Sequence, residues 1–192
     1  MKKKIILGIT GATGSLYALE FLKLMAAADA EVHAIISEAG EQVLRLELGI
    51  GTSEFSPYVA RWHDIGNFAA PMSSGSSRFD AMAVLPCTMG TLAAIANGLT
   101  RNLIHRAADV ILKERRPLVL AVRETPLNRV HLANMLKADE AGAIICPPMP
   151  AFYHQPENLT AMARAFAGRV AALLGFDLPD LPRWGEKESA ED

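Results

Sequence analysis

Apolar positions along the chain come in two rhythms. Short uninterrupted aliphatic runs at 5–10, 32–36, 81–85, 117–122 and 143–146 offer no polar side to water, as expected of strands buried on both faces of a sheet. Between them lie stretches with helical spacing. In 102–114, Ile104, Ala107, Ala108 and Ile111 recur at i, i+3, i+4 and i+7 while Arg106, Asp109 and Lys113 take the other side, which predicts an amphipathic helix. Helices are also expected from the turn at 11–15 to Ala28, over 38–48 behind Ser37 as N-cap, after Thr88, and over 156–174. Thr125 and Pro126 read as N-cap and first residue of a helix striped by Leu132, Met135 and Leu136. Residues 49–77 are polar and rich in Gly and Ser; they predict loops with a short strand near 58–62. This alternation makes the fold class α/β, doubly wound, with a mainly parallel sheet covered by helices on both faces. One domain over 1–184 is expected, with a mobile tail at 185–192.

Composition adds little except location. A chain of 192 residues that is 51% apolar but only 6% aromatic has length enough for one aliphatic core. The net charge of −2 gives no argument for nucleic acid or an anionic membrane as partner. Positive charge is local: 101–129 holds seven Lys/Arg against three acids. The basic start resembles a leader, but Gly8, Gly11 and Gly14 interrupt it, so a first strand is expected. Residues 81–100 carry no charge, yet Pro86, Gly90, Asn97 and Gly98 break them as a membrane span. Cys87 and Cys146 form no C-x-x-C pair, which fits a reducing, cytoplasmic location. His63, His105, His131 and His154 show no metal-ligand spacing, so no metal is expected.

The fold predicts where ligands bind, beyond the carboxyl ends of the strands and beside helix N-termini. At those ends stand Gly11, Ala12, Thr13, Gly14 and Ser15, then Ser37, then Cys87 to Thr91, then Arg123-Glu124, then Pro147 onward. The segment GITGATGS is not the G-x-G-x-x-G of dinucleotide sites, and it lacks the Lys-Ser/Thr of a P-loop. Its hydroxyls, with those of Ser37, Thr88 and Thr91, suit a phosphate and favour a mononucleotide such as FMN. Plain structural explanations compete. Gly11 and Gly14 could serve strand–helix packing, Cys87 could be a small buried hydrophobe, and Lys113 could pair with Asp109 on the surface. Arg123-Glu124 could be an ion-paired strand end, although topology turns it toward the ligand crevice.

The segments GITGATGS, SSGSS (73–77), PCTMGTLAAIANG (86–98), NLIHRAADVILKERRPLVLAVRETPL (102–127), HLANML (131–136), PPMPAFYHQP (147–156) and LPRWGE (181–186) together resemble the UbiX, or Pad-type, flavin prenyltransferases. The resemblance implies alkylation of reduced FMN at N5 and C6 by dimethylallyl monophosphate, without metal. The product, prenylated FMN, would serve a UbiD-type decarboxylase, in some cases for ubiquinone synthesis. It implies dodecamers with active sites shared between subunits. Gly11, Ala12, Thr13, Ser37, Thr88, Met89, Gly90, Thr91 and Arg123 match FMN-binding positions. Lys113, Arg123, Tyr153 and Arg169 match those that hold the prenyl phosphate. Trp184 matches a tryptophan near the prenyl group, and Glu124, Ser15 and Glu47 match active-site positions, with Glu124 the candidate for proton handling. Two other functions stay open. A flavin-dependent decarboxylase of the related cysteine-decarboxylase group would need His and Asn motifs not evident here, and a flavodoxin-like FMN carrier would have no use for Lys113, Tyr153 and Arg169.

Overall fold

A computed structural model describes residues 2–178. Its centre is a sheet of six strands, β1 (Lys4–Ile9), β2 (Glu31–Ile36), β3 (Arg61–Trp62), β4 (Ala81–Cys87), β5 (Leu118–Val122) and β6 (Ile144–Ile145), in the order β3-β2-β1-β4-β5-β6. Every neighbouring pair is parallel. Strand order reverses between β1 and β4, which opens a crevice at their carboxyl ends. Every residue of β4 and β5 is buried, which explains their lack of polar alternation. The β4–β5 register shifts between Val84 and Cys87, where Pro86 has no N–H to give the ladder.

Alternate residues of each strand feed two cores. On one face α1 (Ser15–Ala27), α2 (Glu38–Leu48) and α6 (Leu159–Leu173) pack Phe21, Leu22, Leu44 and Val170 onto Ile5, Leu7, Ile9 and Val119. On the other, α3 (Met89–Ala96), α4 (Leu103–Lys113) and α5 (Arg129–Glu140) bring Leu92, Ile104, Ile111 and Ala138 onto Ile6, Met82, Val84 and Leu120. The amphipathic pattern of 102–114 is thus realised as α4. Ser37, Thr88, Asn102, Asn128 and Asn158 each cap the helix that follows through a side-chain oxygen, satisfying an otherwise unpaired amide.

Several expectations are corrected. Thr125-Pro126 does not open α5: the peptide between them is cis, and Asn128 caps the helix by accepting from the His131 amide at 2.9 Å. Asn at that place is the stronger cap. The stripe on α5 is only partly used, because Met135 packs on the core while Leu132 and Leu136 are 53% and 60% exposed. Small Ala138 is the residue α5 buries, so the helix rests on the body by a narrow contact. Asp109 pairs with Arg106 at 2.7 Å, and Lys113 with Glu114, not with each other. β4 runs two residues past its expected end, β6 shrinks to two residues, and α6 begins at Leu159. Among the described residues no helix is long and apolar enough to cross a membrane.

One polar chain crosses the β2–β3 edge unannounced by the sequence. Glu31 Oε1 lies 2.9 Å from His33 Nε2, and His33 Nδ1 lies 2.9 Å from His63 Nε2. A carboxylate only accepts, so His33 donates to Glu31 through Nε2, and its other ring nitrogen shares a hydrogen bond with His63. Burial, with His33 and Arg61 adding to it, pushes His63 down to about 4.

Candidate active site

The turn at 10–15 is fixed from both sides. Thr10 Oγ1 donates to the Pro86 carbonyl at 2.8 Å and accepts from the Thr88 amide at 2.9 Å, tying the ends of β1 and β4 together. Gly14 then adopts a φ of 117°, open to glycine at little cost. A methyl group there would also lie 2.7 Å from the Tyr17 ring. No side chain of the turn caps α1. Glu47, near the end of α2, does so instead: its carboxylate accepts from the Gly14 amide at 3.0 Å, the Ser15 amide at 2.8 Å and Thr13 Oγ1. Partial burial pulls the Glu47 pKa up, but these hydrogen bonds outweigh it and leave the value below the usual one. A fixed anion therefore stands at the N-terminus of α1. The amides of Gly11, Ala12 and Thr13 make no hydrogen bond among the described residues.

Facing this turn across the crevice is the start of α3. Thr88 Oγ1 accepts from the Thr91 amide at 3.2 Å and donates to Thr91 Oγ1 at 3.0 Å. Met89 packs on the core, while Gly90 is exposed with open space where a side chain would be. Arg123 is fixed at the backbone by its amide, which donates to the Cys87 carbonyl at 3.1 Å. Its side chain is exposed, as is that of Glu124, which accepts from the Thr125 amide at 2.9 Å. Burial raises the Cys87 thiol, in keeping with a packing role and not a nucleophile's. The sequence did not single out Tyr17. Half-buried, it lies within electrostatic reach of both Arg123 and Glu47, and only its place three residues into α1 could have signalled it.

The remaining candidates divide by location. Ser37 caps α2 at the end of β2, with its hydroxyl accepting from Gly40 at 3.0 Å. Arg169 on α6 is exposed and lowers the pKa of Cys146, whose thiol burial otherwise raises; it therefore stands near the carboxyl end of β6. Tyr153 is exposed in the short turn Phe152–His154. Lys113 is not brought to this crevice. It ends α4 at the amino-terminal edge of the sheet, beside Gly75, where residues 73–77 precede β4. Trp184 lies outside the described residues.

The hydroxyls of Ser37 and Thr91, whose protons are not spent on a described neighbour, free turn amides and one guanidinium make a donor set suited to a phosphate monoester and a flat polar ring system. FMN fits this set. The cavity of about 360 Å³ beyond β2 and β3 has the wrong sign for phosphate, since Glu38, Glu41 and Asp64 line it. Among the described residues no three His, Cys, Asp or Glu side chains converge as a metal site requires.

Sheet order, crevice and donor set define a nucleotide-binding α/β protein of the flavoprotein class, and the Flavoprotein family model matches residues 1–166. Flavin prenyltransferase UbiX of Methanocaldococcus jannaschii is 44% identical over 182 residues, spanning 95% of this chain and 98% of its own length. A crystal structure of AnUbiX in complex with FMN and dimethylallyl pyrophosphate superposes with a TM-score of 0.94 at 41% identity, covering 98% of this chain and all of that one. A dodecameric FMN-dependent UbiX-like decarboxylase from Escherichia coli gives a TM-score of 0.90 at 40% identity, covering 94% of this chain and 98% of that one. The chain belongs to the UbiX flavin prenyltransferase family.

Proposed function

We propose that the protein joins the dimethylallyl group of dimethylallyl monophosphate to N5 and C6 of reduced FMN, as a metal-independent transferase. Kinship over the whole chain with proteins named for that activity supports the reading, as does a close structural relative that holds both FMN and a dimethylallyl phosphate ester. The observation that carries it is the exposed Arg123-Glu124 pair at the end of β5, with Arg123 and the anchored Glu47 both within electrostatic reach of Tyr17, more ionic chemistry than a passive flavin carrier needs.

Gly11, Ala12, Thr13, Ser37, Thr88, Met89, Gly90, Thr91 and Arg123 would hold FMN, which supplies the nucleophilic nitrogen and carbon. Breaking the donor's C–O bond leaves the electron pair on phosphate. Lys113, Arg123, Tyr153 and Arg169 would bind that dianion and stabilise the growing charge on the bridging oxygen. The allyl fragment turns cationic as it departs, and the face of Trp184 is assigned to it. Bond formation at N5 releases one proton, which the departing phosphate takes; closing the ring then needs a proton added to the remaining alkene and one lost from C6, and Glu124 is assigned to that exchange. Glu47, held ionised by Thr13, Gly14 and Ser15, keeps a negative charge facing the developing cation, with Ser15 and Thr13 as its anchors.

Lys113 can take part only from another copy, because its own chain places it at the far edge of the sheet. We infer a closed assembly with shared sites, a dodecamer like the E. coli relative. The product would pass to a UbiD-type decarboxylase in the cytoplasm. The test is anaerobic incubation of protein, reduced FMN and dimethylallyl monophosphate, followed by mass spectrometry of the flavin. A flavin heavier by one isoprenyl unit is expected; an unaltered flavin from protein that binds both compounds would sink the assignment.

A further inference from the structure

We propose that Tyr17 is a positioning residue whose ring links the turn at 11–15 to helix α6 and so sets where Arg169 stands. The proposal rests on the transferase assignment above, within which Arg169 receives the donor phosphate.

The Tyr17 ring has a defined neighbour on each side. Toward the turn it covers Gly14 so closely that no side chain fits between them, Cδ2 lying 2.7 Å from the place of a β-carbon. Away from the turn it meets the Phe166 ring edge-on, with centroids 5.1 Å apart and planes at 67°, a favoured aromatic geometry. Phe166 is buried in the core, and Arg169 follows three residues later on α6, on the same flank of the helix. Arg169 in turn acts on Cys146 at the end of β6. Turn, ring and ring are thus in contact, and one helical turn of α6 carries the series on from Phe166 to Arg169, from the proposed flavin loop to the proposed phosphate cation.

Two further observations shape the role. The Tyr17 hydroxyl makes no hydrogen bond with any described residue, so the ring carries the contact. Below it α1 and α6 share a second tie, in which buried Glu20 holds Lys23 at 2.7 Å and reaches Arg164 at 3.8 Å. Core packing, in which Phe21 and Leu22 of α1 share a buried cluster with Ala167 and Val170 of α6, keeps the two helices docked when the Tyr17 ring is removed. Loss of the ring should therefore misplace Arg169 without unmaking the fold or the flavin loop.

The test measures two affinities on each variant: FMN by quenching of flavin fluorescence, and dimethylallyl monophosphate by calorimetry on FMN-loaded protein. Tyr17→Ala should weaken donor binding about tenfold while FMN binding changes less than about twofold. Tyr17→Phe should restore the donor affinity. Phe166→Leu should repeat the donor-selective loss, and combining it with Tyr17→Ala should add little, because both break one contact. Equal losses for FMN and donor, no loss for donor, or a Tyr17→Phe variant as weak as Tyr17→Ala would overturn the proposal. Should Tyr17→Ala fail to fold, Phe166→Leu and Tyr17→Phe decide it. If wild-type protein binds both compounds but never enlarges the flavin, the transferase assignment fails instead, whatever the variants do.

Discussion

At the carboxyl ends of β1 and β4, side chains and backbone of the one chain hold each other: Thr10 bridges the strands, Glu47 caps α1, and Thr88 caps α3. At the amino ends the arrangement differs. Arg106 donates to the Ser73 carbonyl at 3.1 Å, Arg116 to the carbonyls of Ser77 and Gly75 at 3.0 and 3.2 Å, and Lys113 leans on Glu114. Ser73 Oγ is buried there without a partner. The carboxyl end gathers an anion on a helix terminus with the exposed Arg123 nearby, while the amino end holds cations around a serine loop. Lys113 does not reach the crevice of its own copy. In the proposed shared site it would come from a second copy through a head-to-tail contact, which forms a ring or shell only where the rotation closes.

The strongest way to break this comparison is complementation. Glu124→Gln should keep FMN affinity but lose turnover by about 10²–10⁴-fold, and Lys113→Ala should do so by about 10²-fold. Mixed and reassembled, the two inactive variants should regain up to about a quarter of wild-type turnover if each site draws on two copies. No recovery would place both residues in one copy's site and refute the two-ended arrangement.

Gly14→Ala probes the self-contained end. Left-handed backbone and the Tyr17 ring both oppose it, so a loss of about 2–3 kcal/mol in urea unfolding is expected. Glu47→Gln keeps the shape but removes the charge from the α1 terminus, and should cost about 1–2 kcal/mol; no loss would show that Glu47 is not a structural cap. The smallest effect is the pH response at the β2–β3 edge. His63 is held near 4 when folded and returns to about 6.5 when unfolded, so the unfolded chain binds the extra proton between those values. Its contribution is complete above about 6.5 and is lost as pH falls toward 4. Glu47, with its pKa lowered, adds a second loss at more acid pH, as protonation passes through its folded value. Melting temperature followed from neutral pH downward should fall by a few degrees in the first stage, and His63→Gln should remove that stage alone.

Strands and most helices were legible because continuous apolar runs and 3.6-residue stripes record burial directly. The start of α5 was misread because Thr-Pro imitates a cap that Asn128 makes three residues on. The stripe Leu132–Leu136 was misread because periodicity marks a face that wants cover without naming the cover, and within one copy that face stays largely open. At the site, hydroxyls and glycines were legible from their place at strand ends. Lys113 was legible as a cation but not as a residue of the opposite edge, which only topology decides. The pairing of Thr13 and Ser15 with Glu47, the His33–His63 chain and the Tyr17–Phe166 contact join residues more than twenty positions apart, and no local pattern reports such partners.

The two outermost strands, β3 and β6, are each two residues long. A sheet that ends so abruptly offers a neighbour almost no free ladder to extend. Copies can therefore crowd together through helices and loops, with Leu132, Leu136 and Phe152 exposed, and yet have little risk of zipping edge to edge into fibres. Brevity at the margins spares a chain that exposes this much apolar surface from growth by edge-to-edge pairing of its sheet.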